Sequence, residues 1–272
     1  ILLYSVSKNL RPKIQNYLME TLGMDLSSVH TLLQKYPQLI NYNLENHILP
    51  ITRYFVQELK YSHREFSRIL LKFPRLVTWS LYKIKHVVGY LRFELGMDAV
   101  QTKRVLYQAP QLINLRTEET LKPRIAYLRD VFQLSDPELR QLIAGMPTLT
   151  ICSEETNMKP KIEFLEKSLG KEGLKHAVLL QPTLLGYSLE KRIQPRMQQI
   201  LESNVPPISI TVGIPMKESS FNQWLDGRRL KFNYNSRLDD TERIDEISSQ
   251  DGRIVHWSRP RKPPTAESKE IS

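Results

Sequence analysis

The residues best suited to chemistry in this chain are cations, and they recur beside prolines. Arg11 and Lys13 flank Pro12, Lys122 and Arg124 flank Pro123, Lys159 and Lys161 flank Pro160, and Arg196 follows Pro195. Lys83 and Lys85 occupy the comparable place in a divergent copy, where Lys85 replaces the proline. A proline in the first turn of a helix costs nothing, because its missing N–H has no partner there anyway. Read this way, each pair sits at a helix N-terminus, where a phosphate meets both side chains and free backbone N–H groups. Exposed cations there oppose the helix dipole at about 0.3–1 kcal/mol each, so their recurrence suggests an anionic partner. The competing reading is a solvated surface. Arg68, Lys72 and Arg75 form a second basic strip, and Arg68 and Lys72, four apart, share a helix face. Arg104, Arg140 and Lys175 fall in comparable helices, where pairing with acids such as Glu65 is the alternative.

Other chemistries find little support. The six histidines include no H-x-x-x-H pair, and there is no phosphate-binding G-x-x-x-x-G-K-[ST] loop. Glu118 with Glu119, and Glu154 with Glu155, precede helices, where negative charge is favourable without a metal. Cys152 excludes an intramolecular disulfide framework by being single. No catalytic, cofactor or metal site is expected. Tyr17, Tyr54, Tyr90, Tyr127 and Phe164 recur at one helical position, which reads as core rather than as a base-stacking stripe.

The elements that position these residues repeat. A closing word, P-x-L followed by an aliphatic residue or threonine, begins at Pro37, Pro74, Pro110, Pro147 and Pro182, 35 to 37 residues apart. The opening word surrounds Pro12, Pro50, Lys85, Pro123, Pro160 and Pro195, 35 to 38 residues apart. Two marks at one period describe a repeat array. The spacing predicts a helix from each opening proline, a turn at Gly23, Gly96, Gln133 or Gly170, and a second helix. Ser62 with Glu65, and Ser135 with Glu138, have the spacing of capping boxes for that second helix. The closing proline then forces the chain out of helix. The fold class is all-α, a helical solenoid of units about 35 to 38 residues long, in which each unit buries its apolar face against its neighbours.

The 272 residues carry a formal charge of +10 and an isoelectric point near 9.6, which favours a polyanionic partner. No membrane association and no small-molecule substrate are expected. The array covers 1–203. Residues 204–272 read as a largely irregular C-terminal extension, partly docked and partly disordered when unbound. Within it 205–216 has no helical period and 219–227 forms one short helix. Trp224 and Trp257, with Arg259, Arg261 and Lys262, are its candidate partner-docking residues. The chain begins with Ile1, consistent with a removed targeting segment upstream.

The words LKPRIAYLRDVF (121–132) and MKPKIEFLEKSLG (158–170), with the P-x-L closing words, resemble repeats of the mitochondrial transcription termination factor (mTERF) family from about Leu10 to Met197. The resemblance implies paired α-helices plus a short 3-10 turn, a basic face for nucleic acid, and residence in an organelle, the mitochondrion or alternatively the chloroplast. Three functions follow as expectations. The first is non-enzymatic binding of structured rRNA, as a ribosomal or ribosome-associated component with ribosomal or RNA-processing partners. The second is a transcription termination or regulatory factor on duplex DNA. The third is a protein-binding scaffold. RNA ranks above duplex DNA, because the array is short and the extension lies outside the repeat.

Overall fold

The computed structural model describes residues 10–235, 245–248 and 254–257. The chain divides into two compact units, Ile1–Gly186 and Tyr187–Ser272. The first unit holds five repeats, each built of a long first helix, a turn, a second helix and a short 3-10 helix. The 3-10 helices, Pro37–Asn41, Pro74–Thr78, Pro110–Asn114, Pro147–Thr150 and Pro182–Gly186, are the closing words. Their leucines (Leu39, Leu76, Leu112, Leu149 and Leu184) are at most 2% exposed, so the connector is part of the core. Second helices Leu26–Lys35 and His63–Lys72 pack together, as do Ala99–Gln108 and Asp136–Gly145. Both expected capping boxes form, and Asp98 with Gln101 makes a third.

The first helices start earlier than the sequence suggests. They open six residues before the proline, at Leu44, Thr117, Glu154 and Leu189. The residue six places after each closing proline explains why. Asn43, Ser80, Ser153 and Ser188 each accept the backbone N–H three residues on, at 2.8 to 3.3 Å, and so cap the helix. Arg116 holds that place in the fourth repeat and makes no side-chain cap. The opening proline therefore falls in the second turn, where it lacks an N–H and its ring crowds the carbonyl four residues back. The chain responds by widening the turn before it. Leu44–Ile48, Thr117–Leu121, Glu154–Met158 and Leu189–Ile193 are all π-helical. The third repeat has no proline there, and its first helix opens as regular α-helix, Leu81–Gly89.

First helices end on a left-handed residue. Gly23, Gly96, Gly170 and Gln133 do so as the sequence suggests, and Lys60 and Asn204 complete the series with φ of 58° and 55°. The carbonyls at these ends are satisfied from the next repeat. Ser67 Oγ donates to Leu22 O (2.6 Å), Lys103 Nζ to Lys60 O (2.8 Å), Arg140 Nη1 to Leu95 O (3.4 Å) and Lys175 Nζ to Gln133 O (3.0 Å). All four donors stand seven residues before their own closing proline. Each repeat thus caps the C-terminus of the one before it, and the three cations also oppose the negative end of that helix dipole.

The second unit contains a helix over 189–202, a 3-10 turn Pro207–Ser209, a helical turn Ile210–Gly213, a helix Glu218–Asn235 and an antiparallel strand pair. The strands, Asp245–Ser248 and Ile254–Trp257, pair Asp245 with Trp257 and Ser248 with Ile254. Three expectations change. The 205–216 segment is helical in part, because folding back buries Ile208, Ile210 and Ile214. The helix expected over 219–227 continues to Asn235. The extension holds regular helix and strand, and the expected disorder concerns residues outside those described.

Candidate nucleic-acid interface

The structure puts most opening-proline cations to internal use. Arg124 Nη1 donates to Thr150 O at 3.2 Å. Lys161, 6% exposed, donates to Leu185 O and to Asn157 Oδ1, both at 2.8 Å. Burial pushes the Lys161 ammonium below its ordinary pKa. Lys83 Nζ donates to Asn114 O (3.2 Å) and sits 3.5 Å over the Trp79 ring, and burial lowers its pKa too. These three residues tie a first helix to the 3-10 helix that closes the same repeat. In the second unit Arg196, 3% exposed, donates to Gly213 O and Ile214 O and pairs with Glu218 at 2.9 Å.

The partners of the remaining pairs are carboxylates. Lys122 lies 2.6 Å from Glu94 and 2.8 Å from Glu118, and hydrogen bonds to those two acids push its pKa up. Lys159 pairs with Glu155 and, at 3.7 Å, with Glu154; the Glu155 bond raises its pKa. Lys85 lies 3.3 Å from Glu58. Lys13 is exposed, without an ion pair among the described residues, and the Arg11 side chain lies outside them. The Lys122 and Lys159 pairs do not meet free backbone N–H groups, because their helix N-termini lie a turn and a half upstream and carry Glu118, Glu119, Glu154 and Glu155 in the first turn.

The second strip is differently placed. Arg68, Arg75 and Arg104 are exposed and have no ion pair among the described residues. Arg64, one turn before Arg68 on the same helix, joins them. Arg68 and Arg104 both stand six residues before a closing proline, so they are equivalent in successive repeats. Lys35 Nζ reaches Leu71 O at 3.3 Å, and Lys72 Nζ reaches Tyr107 O at 3.4 Å while sitting 4.6 Å over the Tyr107 ring. These reaches set the C-terminal ends of three successive second helices side by side. Arg140 and Lys175 separate from this group; they occupy the capping position one residue earlier.

A sequence signal marks the same edge. Residues 26–44, 66–93, 99–117, 139–153 and 173–189 contain no aspartate or glutamate. Each run covers the later part of a second helix and the following 3-10 helix. The acids of the first unit therefore crowd the helix starts and first helices, leaving an acid-free edge with arginines in its second and third repeats. Guanidinium groups stay charged at any physiological pH and present forked donors to phosphate oxygens.

In the second unit Trp224 is half-buried, its ring centroid 5.8 Å from that of Phe221. A Cβ on Gly213 would meet Phe221 at 2.7 Å, so the aromatic pair packs directly on that turn. Trp257 lies in the second strand, and Arg259, Arg261 and Lys262 lie outside the described residues. Among the described residues, no group of three or more His, Cys, Asp or Glu side chains is placed to hold a metal, and no helix is long and apolar enough to cross a membrane.

Comparison with known proteins accounts for this architecture. The chain is 22% identical over 138 residues to a transcription termination factor, MTERF8, chloroplastic, of Arabidopsis thaliana. That match covers 50% of this chain and 27% of the relative, so the chain spans well under half of the relative's length. The family model described as mTERF matches residues 1–222. The π-turned helices, the 3-10 closing words and this match lead to one conclusion: the chain belongs to the mTERF family of organellar, helical-repeat, non-catalytic nucleic-acid-binding proteins.

Proposed function

We propose that the chain acts in a chloroplast or mitochondrion as a transcription termination or regulatory factor that holds duplex DNA along the second-helix edge of its first three repeats. The supporting observation is the acid-free edge bearing Arg68, Arg75 and Arg104 together with Lys35 and Lys72. Stacked helices lie about 8–10 Å apart, and duplex DNA rises about 3.4 Å per base pair. One repeat thus advances about three base pairs, a spacing that lets arginines of successive repeats meet phosphates about three nucleotides apart. The printed name of the Arabidopsis relative supports transcription termination and a chloroplast address over the RNA-first ranking.

The second reading is structured rRNA binding by a ribosome-associated component. The basic tail residues Arg259, Arg261 and Lys262 favour it, since such tails order along RNA or neighbouring proteins. Phosphate contact alone fits both nucleic acids, so a competition assay separates them. A labelled 30-base-pair DNA duplex is challenged with unlabelled duplex or a structured rRNA hairpin at one stated salt concentration. The duplex reading expects duplex to compete at lower concentration than the hairpin. The opposite order selects rRNA.

A further inference from the structure

The first helix of the third repeat (81–94) presents a face its counterparts lack. Tyr82, Lys85, His86, Gly89, Tyr90 and Phe93 line one groove of about 370 Å³. Tyr82 is 80% exposed and Phe93 83% exposed, and the Tyr82 ring lies nearly parallel to His86, 13° between planes. Where Tyr82 stands, two residues past the cap position, the neighbouring repeats carry Glu45, Glu118, Glu155 and Glu190. Where Phe93 stands, three residues before the left-handed residue, they carry Glu20, Gln57, Asp130, Lys167 and Leu201. The pairing of two exposed aromatic groups on one face is therefore peculiar to this repeat, and both contribute little to its own core.

We propose that this face docks an amphipathic helix of a partner protein, with carboxylates beside its apolar seam. The spacing of Tyr82, His86, Gly89 and Phe93 is four, three, four, the spacing by which one helix meets another along a seam. Gly89 leaves a gap in that seam for a partner's large side chain. Lys85 and Arg92, seven residues apart, fall on one flank, where paired helices select each other by opposite charge. Arg92 has no carboxylate partner among the described residues, and Lys85 has only the exposed Glu58, a pair worth little. A continuous polyanion fits worse than an amphipathic helix whose carboxylates fall only beside its seam, because Glu94 lines the groove and Glu58 pairs with Lys85. The nucleic acid is better served by the acid-free edge, so this inference stands apart from the proposed function.

The test uses the full chain and a fluorescein-labelled three-heptad peptide with Leu at a and d and Glu at e and g. A control peptide carries Lys at e and g. Anisotropy is expected to show the Glu peptide binding at least tenfold more tightly than the Lys peptide. Phe93→Glu lowers Glu-peptide affinity tenfold or more, and the double variant Lys85→Glu, Arg92→Glu reverses the order of the two peptides. Circular dichroism checks each fold, and Tyr82→Ser provides a second reading of the seam if Phe93→Glu disturbs it. Equal affinity for both peptides, or affinity indifferent to Phe93 and Tyr82, overturns the proposal. So does displacement of the peptide by a 15-nucleotide single strand whose own binding needs Phe93, which would make the face a base-stacking platform.

Discussion

A buried lysine shows how little of a side chain's role lies in its charge. Lys161 sits where the sequence suggests a phosphate ligand, yet it spans Leu185 O and Asn157 Oδ1 inside the fifth repeat. Removing its ammonium leaves both acceptors without a donor in a buried place. Lys161→Met is expected to lower stability by about 2–3 kcal/mol, read as a lower urea midpoint with an unchanged slope; an unchanged midpoint would refute the structural role. Glu138 carries a pH-dependent counterpart. The Ser135 backbone N–H, the Ser135 hydroxyl and Lys175 hold its carboxyl at about 2. A folded value below the ordinary one adds stability that is complete above the ordinary glutamate range and lost as pH falls through it toward 2. Between about pH 4.5 and 2, Glu138→Gln should therefore show a flatter loss of stability than the parent. Parallel curves for the two proteins would count against the cap.

At the scale of the element, the repeat period, the closing prolines, the capping boxes and four of the six left-handed turns were legible in the residues. The helix starts were not. A proline is a common helix-starting residue, and that prior concealed the capping asparagine and serines six residues after four of the five closing prolines, which recur at the same period. The π-turn is the consequence: a cap upstream and a proline in the second turn are compatible only if the helix widens between them. Nor could the sequence show which cations are committed, since that depends on carbonyls 24 to 45 residues away. The left-handed series yields its own test. Gln133 adopts φ of 50° with a side chain that disfavours it. Gln133→Gly keeps the carbonyl that accepts Lys175 and should raise stability by about 1 kcal/mol. A loss in thermal unfolding would mean the glutamine side chain makes contacts that outweigh its backbone strain.

Across the whole molecule, the +10 charge is divided by use rather than spread evenly. Most lysines and arginines near the opening prolines of the second to fifth repeats and of the second unit bind carbonyls and carboxylates of the chain itself, as do those seven residues before the closing prolines. Arg68, Arg75 and Arg104 of the acid-free runs are exposed and have no ion pair among the described residues, and in the proposed function their charge meets the nucleic acid. Binding along that edge should accordingly respond to salt and hardly to pH between 6 and 9, because guanidinium groups do not titrate there. The most direct measurement is duplex-DNA affinity against salt concentration, for the parent and for Arg68→Ala, Arg75→Ala, Arg104→Ala together. With three phosphate contacts gone, the slope of log affinity against log salt should shrink in magnitude by roughly 2 to 3, with helicity unchanged. A variant that keeps the parent's slope and affinity would contradict the edge as the place where nucleic acid is held.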